Sequence, residues 1–566
     1  MPYPDYANPD LLDRIPLSAR VVLDVGCATG ALGMAYKQRN PAARVLGIER
    51  DPDAARIAAQ RLDRVAIADV ERTPLPFGDE AVDCIVYGDV LEHLTDPWAV
   101  LSAHARVLSP NGTVVICMPN TEHWSFAARL LQGTWAYEDQ GLFDRTHLRW
   151  FTYRSTQAAL EGAGLRPFDV VPRIFDAPAA EDFTRAIEPA LAALGVDPFK
   201  FLHRARPLQF VWRARRIETR LMQVTSTMLP RVGGVSDVRV LEPMKALASE
   251  PGFLTRVLGE YGGEALDLDT PRIFILHRPL LAGDEGLSHV RSVLAEGHIV
   301  VCEFDDHPSG IPVLQRPDIQ NFRAVHAVQT STEPLAAVLR AENPEVRVFR
   351  NAASVIPPAR NFANPDRMTL FFGGLNRELD WPPYVAALNA VAGFVGERLH
   401  FQIVNDRGLF DALETPHKSF TPLCDYATYR DLLSRSEISF MPLADTMFNR
   451  CKSDLKFIEA SAHRVAALAS PVVYGDSVED ERTGFLFADP SQLQQRLARM
   501  VAQPDLTRDI AEAARAYVAR ERMMAYQVAE RAAWYWSLWE RREELTRALH
   551  ARVPELSLPS LAVAGG

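Results

Sequence analysis

Residues 21–30 read VVLDVGCATG, and this stretch decides the fold of the first part of the chain. The run VVLDV is rich in β-branched residues and predicts a buried strand. The small residues that follow let the backbone turn tightly and approach a ligand at the start of a helix. Four more β-rich runs, RVLGIE, VAIAD, CIVYGDV and TVVICMP, alternate with helical patterns downstream. This alternation predicts right-handed βαβ crossovers and a parallel sheet.

Two further α/β series follow along the chain. The second contains the runs RIFILH, HIVVCEFDD, AVHAVQTS and VRVFRN, and the third contains MTLFFGG, LHFQIVN, ISFMPL and PVVYG. Residues 215–237 are interpreted as a junction between the first two series, because crowded charge is followed by a Pro/Gly cluster. The Pro-rich residues 353–365 separate the second series from the third. We therefore predict an α/β fold of three Rossmann-like domains, covering residues 1–216, 217–360 and 361–566.

The C-terminal tail, residues 509–553, has a helical and amphipathic pattern. Its aromatic residues crowd together at Trp534, Tyr535, Trp536 and Trp539. Large aromatic side chains bury much apolar area, so we expect them to clamp a helix onto one of the domains.

The composition is that of a folded soluble protein with several domains. The chain has 566 residues, of which 48% are hydrophobic and 23% are charged, which excludes both global disorder and a single small module. Its formal net charge of -11 gives no reason to expect a nucleic-acid partner. Six cysteines occur singly, and no apolar stretch reaches about 18 residues. A cytoplasmic protein is predicted, with peripheral contact at the inner membrane surface left open.

Acidic residues lie at the ends of three successive predicted strands. Glu49 comes about 20 residues after the glycine-containing loop, where a carboxylate can accept hydrogen bonds from both hydroxyls of a ribose. Asp69 ends the third strand, where it can meet an adenine amino group. Strand-end carboxylates cost free energy unless something pairs with them, so Asp24, Glu49 and Asp69 together predict an adenosine site. Solvated loop carboxylates are the alternative for each residue singly.

Residues 1–170 resemble a class I S-adenosylmethionine-dependent methyltransferase, through LDVGCATG, GIERDP, ADVERTPLPF, DCIVYGDVLEHL and RVLSPNGTVVICMPN. The resemblance implies an S-adenosylmethionine site built from Asp24, Gly26, Gly30, Glu49, Asp69 and Asp89. Asp24 and the two glycines line its methionine end, Glu49 holds the ribose and Asp69 holds the adenine. The family usually has Gly where this chain has Ala28. A dinucleotide oxidoreductase is disfavoured, because the loop does not have the GxGxxG spacing.

A second polar cluster follows the fourth predicted strand. Asp89, Glu92 and His93 fall at positions i, i+3 and i+4, on one face of the helix predicted to begin there. Residues 123–152 are rich in Trp, His and acid, as expected for a lid over an acceptor pocket. Together with His147, the cluster resembles the metal-binding ExxEH and distal His of small-RNA 2′-O-methyltransferases. It also resembles the EH of ubiquinone-pathway O-methyltransferases.

This resemblance implies that Asp89, Glu92, His93 and His147 hold a divalent metal ion, which grips vicinal hydroxyls and lowers the pKa of one of them. In the alternative, Asp89 is a helix N-cap, Glu92 is a first-turn acid, and His147 is a general base or a packed residue. In either case we predict Glu92 and His147 as catalytic residues beside an acceptor that has an oxygen nucleophile.

A basic residue and an acid stand one helical turn apart in the third series. Lys456 can neutralise a diphosphate and Glu459 can accept hydrogen bonds from ribose hydroxyls, a pairing that suits a nucleotide sugar. Lys452 is a second candidate for the phosphate. Gly373 and Gly374 end the first strand of this series, where the backbone can approach the diphosphate.

Residues 449–487 resemble the donor-binding segment of GT-B glycosyltransferases of the family 4 kind, which implies a catalytic role for Glu459. The stretch RVGGVSDVRVLEPMKAL likewise resembles the acceptor-side loop and first helix of such enzymes. Family 4 enzymes commonly have a second glutamate where this chain has Cys451, and this difference leaves the donor, the stereochemical outcome and the activity open.

The run VCEFDDHP, residues 301–308, ends a predicted strand of the second series. Asp306 or His307 is a candidate acceptor base, with structural capping of the next element as the alternative. The run also resembles the DxD metal site of GT-A transferases, through Glu303, Asp305 and Asp306. That assignment is disfavoured, because the surrounding pattern predicts two doubly wound domains.

These expectations combine into a bifunctional transferase of surface polysaccharide biosynthesis. The N-terminal domain would methylate a sugar hydroxyl with S-adenosylmethionine, and the GT-B unit of two Rossmann-like lobes would transfer a sugar from a nucleotide-sugar donor. The acceptor would be a glycan or a lipid-linked glycan. Two alternatives stay open: an active methyltransferase with a non-catalytic, glycan-binding GT-B-like domain, and a small-molecule O-methyltransferase with an unrelated fused partner.

Overall fold

The structure is a computed structural model that describes residues 5–73, 75–77, 81–230, 234–261, 269–364 and 366–557. The chain divides into two compact units. The first comprises Met1–Arg220 with Ala248–Gly252, and the second comprises Leu221–Leu247 with Phe253–Gly566. The first unit is thus formed by two separate segments of the chain.

The first unit contains a seven-stranded sheet in the order β3-β2-β1-β4-β5-β7-β6. Its strands are β1 Val21–Val25, β2 Arg44–Glu49, β3 Arg64–Ile67, β4 Val82–Gly88, β5 Leu108–Pro119, β6 Arg166–Arg173 and β7 Gln209–Arg215. The helices are α1 Pro9–Leu12, α2 Ala31–Arg39, α3 Pro52–Ala58, α4 Pro97–His104, α5 Trp124–Gln132, α6 Tyr153–Gly162, α7 Ala177–Ala193 and α8 Pro198–Ala205. Strands β1 to β5 are parallel, and β7 runs antiparallel to both β5 and β6.

The order of strands in this sheet reverses beside β1. The chain passes from β1 to β2 and β3 on one side, and returns to place β4 on the other side of β1. Apolar clusters cover both faces of the sheet, one containing Trp212 and Leu160 and the other containing Tyr36 and Val211. Ligands of such sheets bind in the crevice that opens at the carboxyl ends of the two strands where the order reverses.

The first sheet of the second unit has six parallel strands in the order β13-β12-β11-β10-β8-β9. They are β8 Met222–Ser226, β9 Phe253–Val257, β10 Arg272–His277, β11 Ile299–Glu303, β12 Ala327–Thr330 and β13 Val346–Val348. The helices of this part are α9 Glu242–Ser249, α10 Gly283–Ala295 and α11 Glu333–Leu339.

Residues 215–237, interpreted as a junction, contain both the boundary between the two units, at Arg220 and Leu221, and a strand that was not predicted. Strand β8 lies inside this stretch and pairs with β9 on one side and β10 on the other. All five of its residues are buried. The run LMQVTS is a short apolar strand of a sheet covered on both faces, and the charges before it and the Pro/Gly cluster after it obscured that pattern. Residues 231–233 of the predicted acceptor-side loop lie outside the described residues.

The second sheet of this unit has the order β16-β15-β14-β17-β18-β19, and its neighbouring strands are parallel. Its strands are β14 Met368–Gly373, β15 Leu399–Val404, β16 Lys418–Thr421, β17 Ile438–Met441, β18 Ala466–Ala469 and β19 Phe485–Leu486. The helices are α12 Val385–Val395, α13 Arg407–Ala412, α14 Tyr426–Ser434, α15 Met447–Arg450, α16 Leu455–Ala462, α17 Pro471–Tyr474, α18 Pro490–Ala502, α19 Pro504–Glu521, α20 Val528–Glu540 and α21 Arg542–Arg552. The order reverses between β14 and β17.

The run PVVYG, predicted as a strand, instead forms a turn at α17, in which Val472 and Val473 have non-helical backbone angles. Pro471 stands at the first position of this turn, where its missing N–H costs nothing. The strand of this region is β18, which lies immediately upstream and is completely buried. Its sequence AALA is too short and too rich in alanine to show a strand pattern.

The C-terminal tail forms three helices, α19 to α21, and the predicted aromatic clamp is present. Trp534, Tyr535 and Leu538 of α20 belong to one buried cluster with residues of β8 and β10. The tail therefore completes the core of the first sheet of the second unit, although it follows the second sheet in the chain. The predicted α/β class with three mostly parallel Rossmann-like sheets is confirmed.

All six cysteines are free thiols, and five of them are buried. Within the described part of the chain, no helix combines the length and the apolar character that crossing a membrane requires.

We expect the aromatic clamp to contribute strongly to the stability of the second unit. Leu538 is fully buried, so Leu538→Ala leaves a cavity and should lower the free energy of unfolding by about 2–5 kcal/mol. Leu379→Ala is the matched control, because Leu379 is 86% exposed. Urea denaturation followed by circular dichroism measures both variants. Equal stability of the two would contradict the assignment of α20 to the core.

Candidate active sites

The loop after β1 has the backbone conformation that a close approach to a ligand requires. Gly26, Ala28 and Gly30 all have positive φ angles, of 70°, 47° and 78°. A Cβ atom on Gly26 would lie 2.6 Å from Cγ2 of Val90, so no side chain fits there. Ala28 adopts the left-handed conformation although it carries a methyl group. The loop then leads into α2, whose first N–H groups have no partner within the helix.

Two of the predicted acids lie against this loop. Glu49 accepts a hydrogen bond from the Ala28 N–H through Oε2 at 2.9 Å and one from the Asp51 N–H through Oε1 at 2.8 Å. Asp24 is buried, and its Oδ2 has no hydrogen-bond partner among the described residues. Burial, with the nearby charge of Glu49, raises the pKa of Asp24 to about 7. Burying a carboxylate oxygen without a hydrogen-bond partner costs free energy. Such an oxygen is expected where a ligand donates a hydrogen bond to it.

Asp69 lies two residues beyond the end of β3, on a loop. Its Oδ1 accepts a hydrogen bond from the Glu71 N–H at 3.0 Å, and Oδ2 lies 3.6 Å from Nε of Arg72. The side chain is 35% exposed, so it keeps free capacity to accept a further hydrogen bond. The structure thus places Asp69 at the same edge of the sheet as Asp24 and Glu49.

Asp5 is a residue at this loop to which the sequence analysis assigned no role. Its Oδ1 accepts a hydrogen bond from the Thr29 hydroxyl at 2.8 Å, and its Oδ2 accepts one from Arg61 at 3.0 Å. The N-terminal segment is therefore tied to the glycine loop. The role of Asp5 depends on contacts with residues far away in the chain, so no local sequence motif indicates it.

The prediction of a helix that begins at Asp89 is wrong. Asp89 has a φ of 56°, Leu91–His93 form one 3-10 turn, and α4 begins only at Pro97. Pro97 favours a helix start, and the Asp96 side chain caps it by accepting from the Ala99 N–H at 3.0 Å. Asp89, Glu92 and His93 consequently lie on a turn, not on one face of a helix.

Glu92 is the most buried acid of this cluster. It is 1% exposed, and neither carboxylate oxygen has a hydrogen-bond partner among the described residues. Burial, together with the charge of Asp89, holds the pKa of Glu92 well above its usual range. The main-chain carbonyl of Glu92 accepts hydrogen bonds from the N–H groups of Leu148 and Arg149, at 2.8 and 3.0 Å. Residues 147–149 are thereby fixed beside the turn.

Two imidazoles meet the Glu92 carboxylate. The rings of His93 and His147 lie 4.8 Å apart between centroids. One ligand atom from each of Glu92, His93 and His147 lies within 4.8 Å of the others. Asp89 is not part of this group, because its Oδ1 accepts a hydrogen bond from Gln209 instead. The structure therefore brings together three of the four predicted metal ligands.

The hydrogen bonds of the two imidazoles leave one ring nitrogen of each free to act as a lone-pair donor. His147 Nδ1 lies 3.2 Å from the Leu142 carbonyl oxygen. His93 Nδ1 lies 3.0 Å from the Thr146 hydroxyl oxygen, which itself donates to Asp144, and 3.3 Å from the Thr146 carbonyl oxygen. These oxygens are left to accept, so Nδ1 carries the proton in both rings, by inference from the hydrogen bonds. Metal-bound histidines typically have this arrangement, and two imidazoles with a carboxylate suit a divalent transition metal. These residues fit a metal ion.

In the second unit, Lys456 and Glu459 extend from α16 at the carboxyl edge of the second sheet. The Lys456 ammonium donates to the Gly373 carbonyl, and it lies 3.5 Å from the Tyr429 hydroxyl. Glu459 accepts hydrogen bonds from the hydroxyls of Tyr426 at 2.6 Å and Tyr429 at 3.5 Å. Burial raises the pKa of Glu459. The sequence analysis missed both tyrosines, which belong to α14 and reach α16 only through the fold.

Three cations lie near one another at this edge. Burial lowers the pKa of Lys456 to about 8, and Glu459 opposes this shift, whereas the charges of Arg377 and Lys452 add to it. Arg377 follows the Gly373–Gly374 pair and was missed because its sequence, LNRELD, reads as an ordinary polar loop. A Cβ atom on Gly374 would lie 2.7 Å from Cγ of Arg377, so the glycine lets the arginine lie against the backbone. Clustered cations at a strand end suit a polyanionic ligand.

Asp306 lies beside these cations. Its carboxylate forms ion pairs with Lys452 at 3.2 Å and Arg278 at 2.8 Å. Burial alone would raise the pKa of Asp306, but Lys452 and Arg278 outweigh burial and lower it. These contacts weaken Asp306 as a base and favour a role in holding Lys452 in place. The acceptor-base role of Asp306 stays a prediction.

A buried ion pair fixes the start of α16. Arg522 donates to both carboxylate oxygens of Asp454, at 2.6 and 2.9 Å, and Asp454 directly precedes the helix. The same arginine donates to the Asn351 carbonyl at 3.0 Å. Breaking such a pair leaves an uncompensated buried charge, so the position of Lys456 and Glu459 is held by residues far from them in the chain.

Cys451 occupies the position where the sequence comparison expected a second glutamate. The residue is buried and packs in a cluster with Phe304 and Leu335. Its carbonyl accepts a hydrogen bond from the Thr332 hydroxyl at 2.8 Å. It therefore serves as a packing residue and offers no carboxylate to a ligand.

Comparison with known proteins identifies a methyltransferase domain in the first unit. Residues 23–116 match the family model described as "Methyltransferase domain". An uncharacterized methyltransferase of Mycobacterium leprae is 35% identical over 103 residues, covering 18% of this chain and 38% of the relative. The malonyl-[acyl-carrier protein] O-methyltransferase of Geobacter sulfurreducens is 30% identical over 154 residues, covering 26% and 57%. The ubiquinone biosynthesis O-methyltransferase of Xylella fastidiosa is 33% identical over 158 residues, covering 23% and 61%.

The chain thus spans less than two thirds of the length of each of these relatives. Among solved structures, TarM of Staphylococcus aureus, in a complex that contains UDP, covers 47% of this chain and 55% of its own length. Its identity is 11% and its TM-score is 0.36, which is too low to decide the fold of the second unit. Residues 23–116 are thus similar to a methyltransferase domain, and such a domain implies use of S-adenosylmethionine.

We expect Gly26→Ala to weaken binding of S-adenosylhomocysteine at least tenfold, because its new methyl group meets Val90 and forces the loop to move. Gly164→Ala is the matched control: Gly164 has a similar φ of 75°, but nothing lies within 4 Å of the added Cβ. Both variants carry the left-handed strain of roughly 1–2 kcal/mol, and only Gly26→Ala adds the clash. Isothermal titration calorimetry measures the affinities. Equal affinities in the two variants would show that the loop does not bind the cofactor.

Proposed function

We propose that the chain is a bifunctional transferase of surface polysaccharide assembly, such as that of O-antigen or capsule. The first unit methylates a sugar hydroxyl with S-adenosylmethionine, and the second transfers a glycosyl group from a nucleotide sugar. One feature at each sheet edge carries the proposal: a buried Asp24 oxygen that has no partner among the described residues, and the cluster of Lys456, Lys452 and Arg377. Fusion of the two activities suits a shared growing glycan, because tethering raises the effective concentration.

In the first unit, Asp24, Gly26, Gly30, Glu49 and Asp69 would hold the cofactor. When bound, S-adenosylmethionine supplies an electrophilic methyl group on its sulfonium sulfur. The free Oδ2 of Asp24 would accept a hydrogen bond from the amino group of the methionine part, and Glu49 would accept from the ribose while it holds the loop. The half-exposed Asp69 would accept from the adenine amino group. Asp89 lies near Glu92 and Gln209, so its role is closer to the acceptor.

The acceptor hydroxyl would lie beside Glu92, His93 and His147. His147 keeps Nδ1–H on the Leu142 carbonyl, so Nε2 can accept the proton of the hydroxyl or bind a divalent ion. Burial and the neighbouring His93 lower the pKa of His147, which favours the neutral ring that either role needs. A bound divalent ion would lower the pKa of the hydroxyl. Direct transfer between aligned reactants needs mainly positioning, and no covalent enzyme intermediate is required.

In the second unit, the diphosphate of a nucleotide sugar would lie on Lys456, Lys452 and Arg377. Gly373 and Gly374 let the backbone come close to it, and Glu459 would accept hydrogen bonds from donor hydroxyls. Asp306 and Arg278 would keep Lys452 in position. The order of strands reverses between β14 and β17, which places the expected ligand crevice at the edge where Gly373 lies.

A second candidate function is supported by two observations. Cys451 is a packing residue, and Asp306 is neutralised by two cations. Both observations favour a GT-B-like unit that binds a glycan without catalysing transfer. In that case only the first unit would be catalytic.

We expect methyl transfer to depend on a divalent ion. Excess EDTA should abolish turnover, and His147→Ala should lose the ion, because it removes one of three ligands. His203→Ala is the control, since His203 is an exposed histidine of α8. Inductively coupled plasma mass spectrometry of the purified variants measures the ion. Full activity in excess EDTA would contradict metal dependence and leave His147 as a general base.

We expect hydrolysis or transfer of a nucleotide sugar to fall at least tenfold in Glu459→Gln. The variant removes a charge-assisted hydrogen bond, which contributes about 1.5–3 kcal/mol. Glu397→Gln is the matched control, an exposed glutamate before β15 at the opposite edge of the sheet. Mass spectrometry with UDP-, GDP- and dTDP-sugars detects the products. Glycan binding without any turnover in the unmodified protein would favour the non-catalytic alternative.

A further inference from the structure

A continuous surface of aromatic rings extends from the imidazole pair of the first unit. His147 lies 5.7 Å from Trp150 between ring centroids, and Trp150 lies 5.8 Å from Trp135. Phe126 lies 5.5 Å from Trp150 and 5.6 Å from Trp135, and Phe143 lies 5.2 Å from Trp135. We call Phe126, Trp135, Phe143 and Trp150 the aromatic platform. Its tryptophan edge directly adjoins the site at which the acceptor hydroxyl is expected.

The two phenylalanines of the platform are buried, and its two tryptophans are partly exposed. Phe126 and Phe143 are 6% and 2% exposed, whereas Trp135 and Trp150 are 37% and 38% exposed. Tryptophan side chains that merely fill a core are more completely covered, as Trp212 is in the same unit at 1%. The two tryptophans therefore rest on buried rings and present large apolar surfaces outward.

The segment that carries the platform is held in place by hydrogen bonds. Arg129 of α5 lies 3.8 Å over the ring of Phe143 and forms an ion pair with Glu138 at 2.6 Å. The Glu138 N–H donates to the Phe143 carbonyl at 2.9 Å. At the other end, the N–H groups of residues 148 and 149 donate to the carbonyl of Glu92. The tryptophans thus keep a fixed distance from Glu92 and His147, as a preformed binding surface requires.

The chemistry of this surface suits a sugar ring. A pyranose has a face of C–H groups that packs against the electron-rich face of an indole. It also has a rim of hydroxyls that need hydrogen-bond partners. The platform supplies the indole faces, and Glu92, His93 and His147 supply polar groups at one end of it. The two indole planes meet at 72°, so they leave no parallel slot that would sandwich a flat aromatic molecule.

We propose that Trp135 and Trp150 bind the sugar ring of the acceptor and direct one of its hydroxyls to His147. The inference rests on the proposed methylation of a sugar hydroxyl, and it assigns the part of the acceptor that the enzyme recognises. The platform selects a pyranose with an unobstructed C–H face, and the polar group at its end selects which hydroxyl is methylated.

The test measures methyl transfer from S-adenosylmethionine to the methyl glycosides of rhamnose, mannose, glucose, galactose, fucose and N-acetylglucosamine, with catechol as a flat comparison. Trp150→Ala and Trp135→Ala should each raise KM for the best glycoside at least tenfold and leave the affinity for S-adenosylhomocysteine unchanged. Trp150→Phe should recover part of the loss, because it restores an aromatic face. Trp98→Ala is the matched control: Trp98 is 45% exposed in the same unit, but it packs against Phe151 outside the platform.

The outcomes separate the platform from the proposed function. Unchanged KM values in both tryptophan variants, with a glycoside still methylated, would overturn the platform and leave the proposed methylation of sugars intact. Failure to methylate any of the glycosides, with or without turnover of catechol, would overturn the sugar assignment and with it the platform. A loss of S-adenosylhomocysteine binding in Trp150→Ala equal to the change in KM would also overturn it, since the effect would then arise in the cofactor site.

Discussion

The geometry of parallel sheets is the constraint on which both candidate sites depend. When the order of strands reverses beside a central strand, the two flanking loops separate and open a crevice at the carboxyl ends. This happens between β1 and β4 in the first unit and between β14 and β17 in the second. Gly26 directly follows β1, and Gly373 is the last residue of β14. Candidate ligand-binding residues therefore lie at a few positions along these edges. The loops at these edges carry buried acids in the first unit and clustered cations in the second.

Buried carboxylates in the first unit and clustered cations in the second indicate which kind of ligand suits each edge. A buried carboxylate without a partner costs free energy, and Asp24 and Glu92 both carry oxygens that no other described residue satisfies. Tyr426 and Tyr429 satisfy the Glu459 carboxylate, and Lys456, Lys452 and Arg377 lie near one another beside it. The first unit is therefore suited to ligands that donate hydrogen bonds or bring a metal ion, and the second unit to an anionic ligand.

The sequence predicts the parts of this arrangement that local patterns encode. Alternating strands and helices identify the three sheets, whereas the assignment of the VGCATG loop and the strand-end acids to a cofactor site stays a prediction. The turn at Asp89 was predicted as a helix, because the i, i+3, i+4 spacing does not show that the 3-10 turn Leu91–His93 ends before α4 begins at Pro97. Asp5 and Tyr426 were missed for a different reason. Their partners lie far away in the chain, and only the fold brings them together.

The central claim is that one chain holds two independent transferase sites, and calorimetric titration of the full chain tests it most directly. S-adenosylhomocysteine and a nucleoside diphosphate, with UDP, GDP and dTDP tried in turn, are titrated separately and then together. The account predicts one site for each ligand, unchanged affinity when the other is bound, and selective loss of the first in Asp24→Asn and of the second in Lys456→Ala. Competition between the two ligands for one site, or binding of neither nucleotide class, would contradict it.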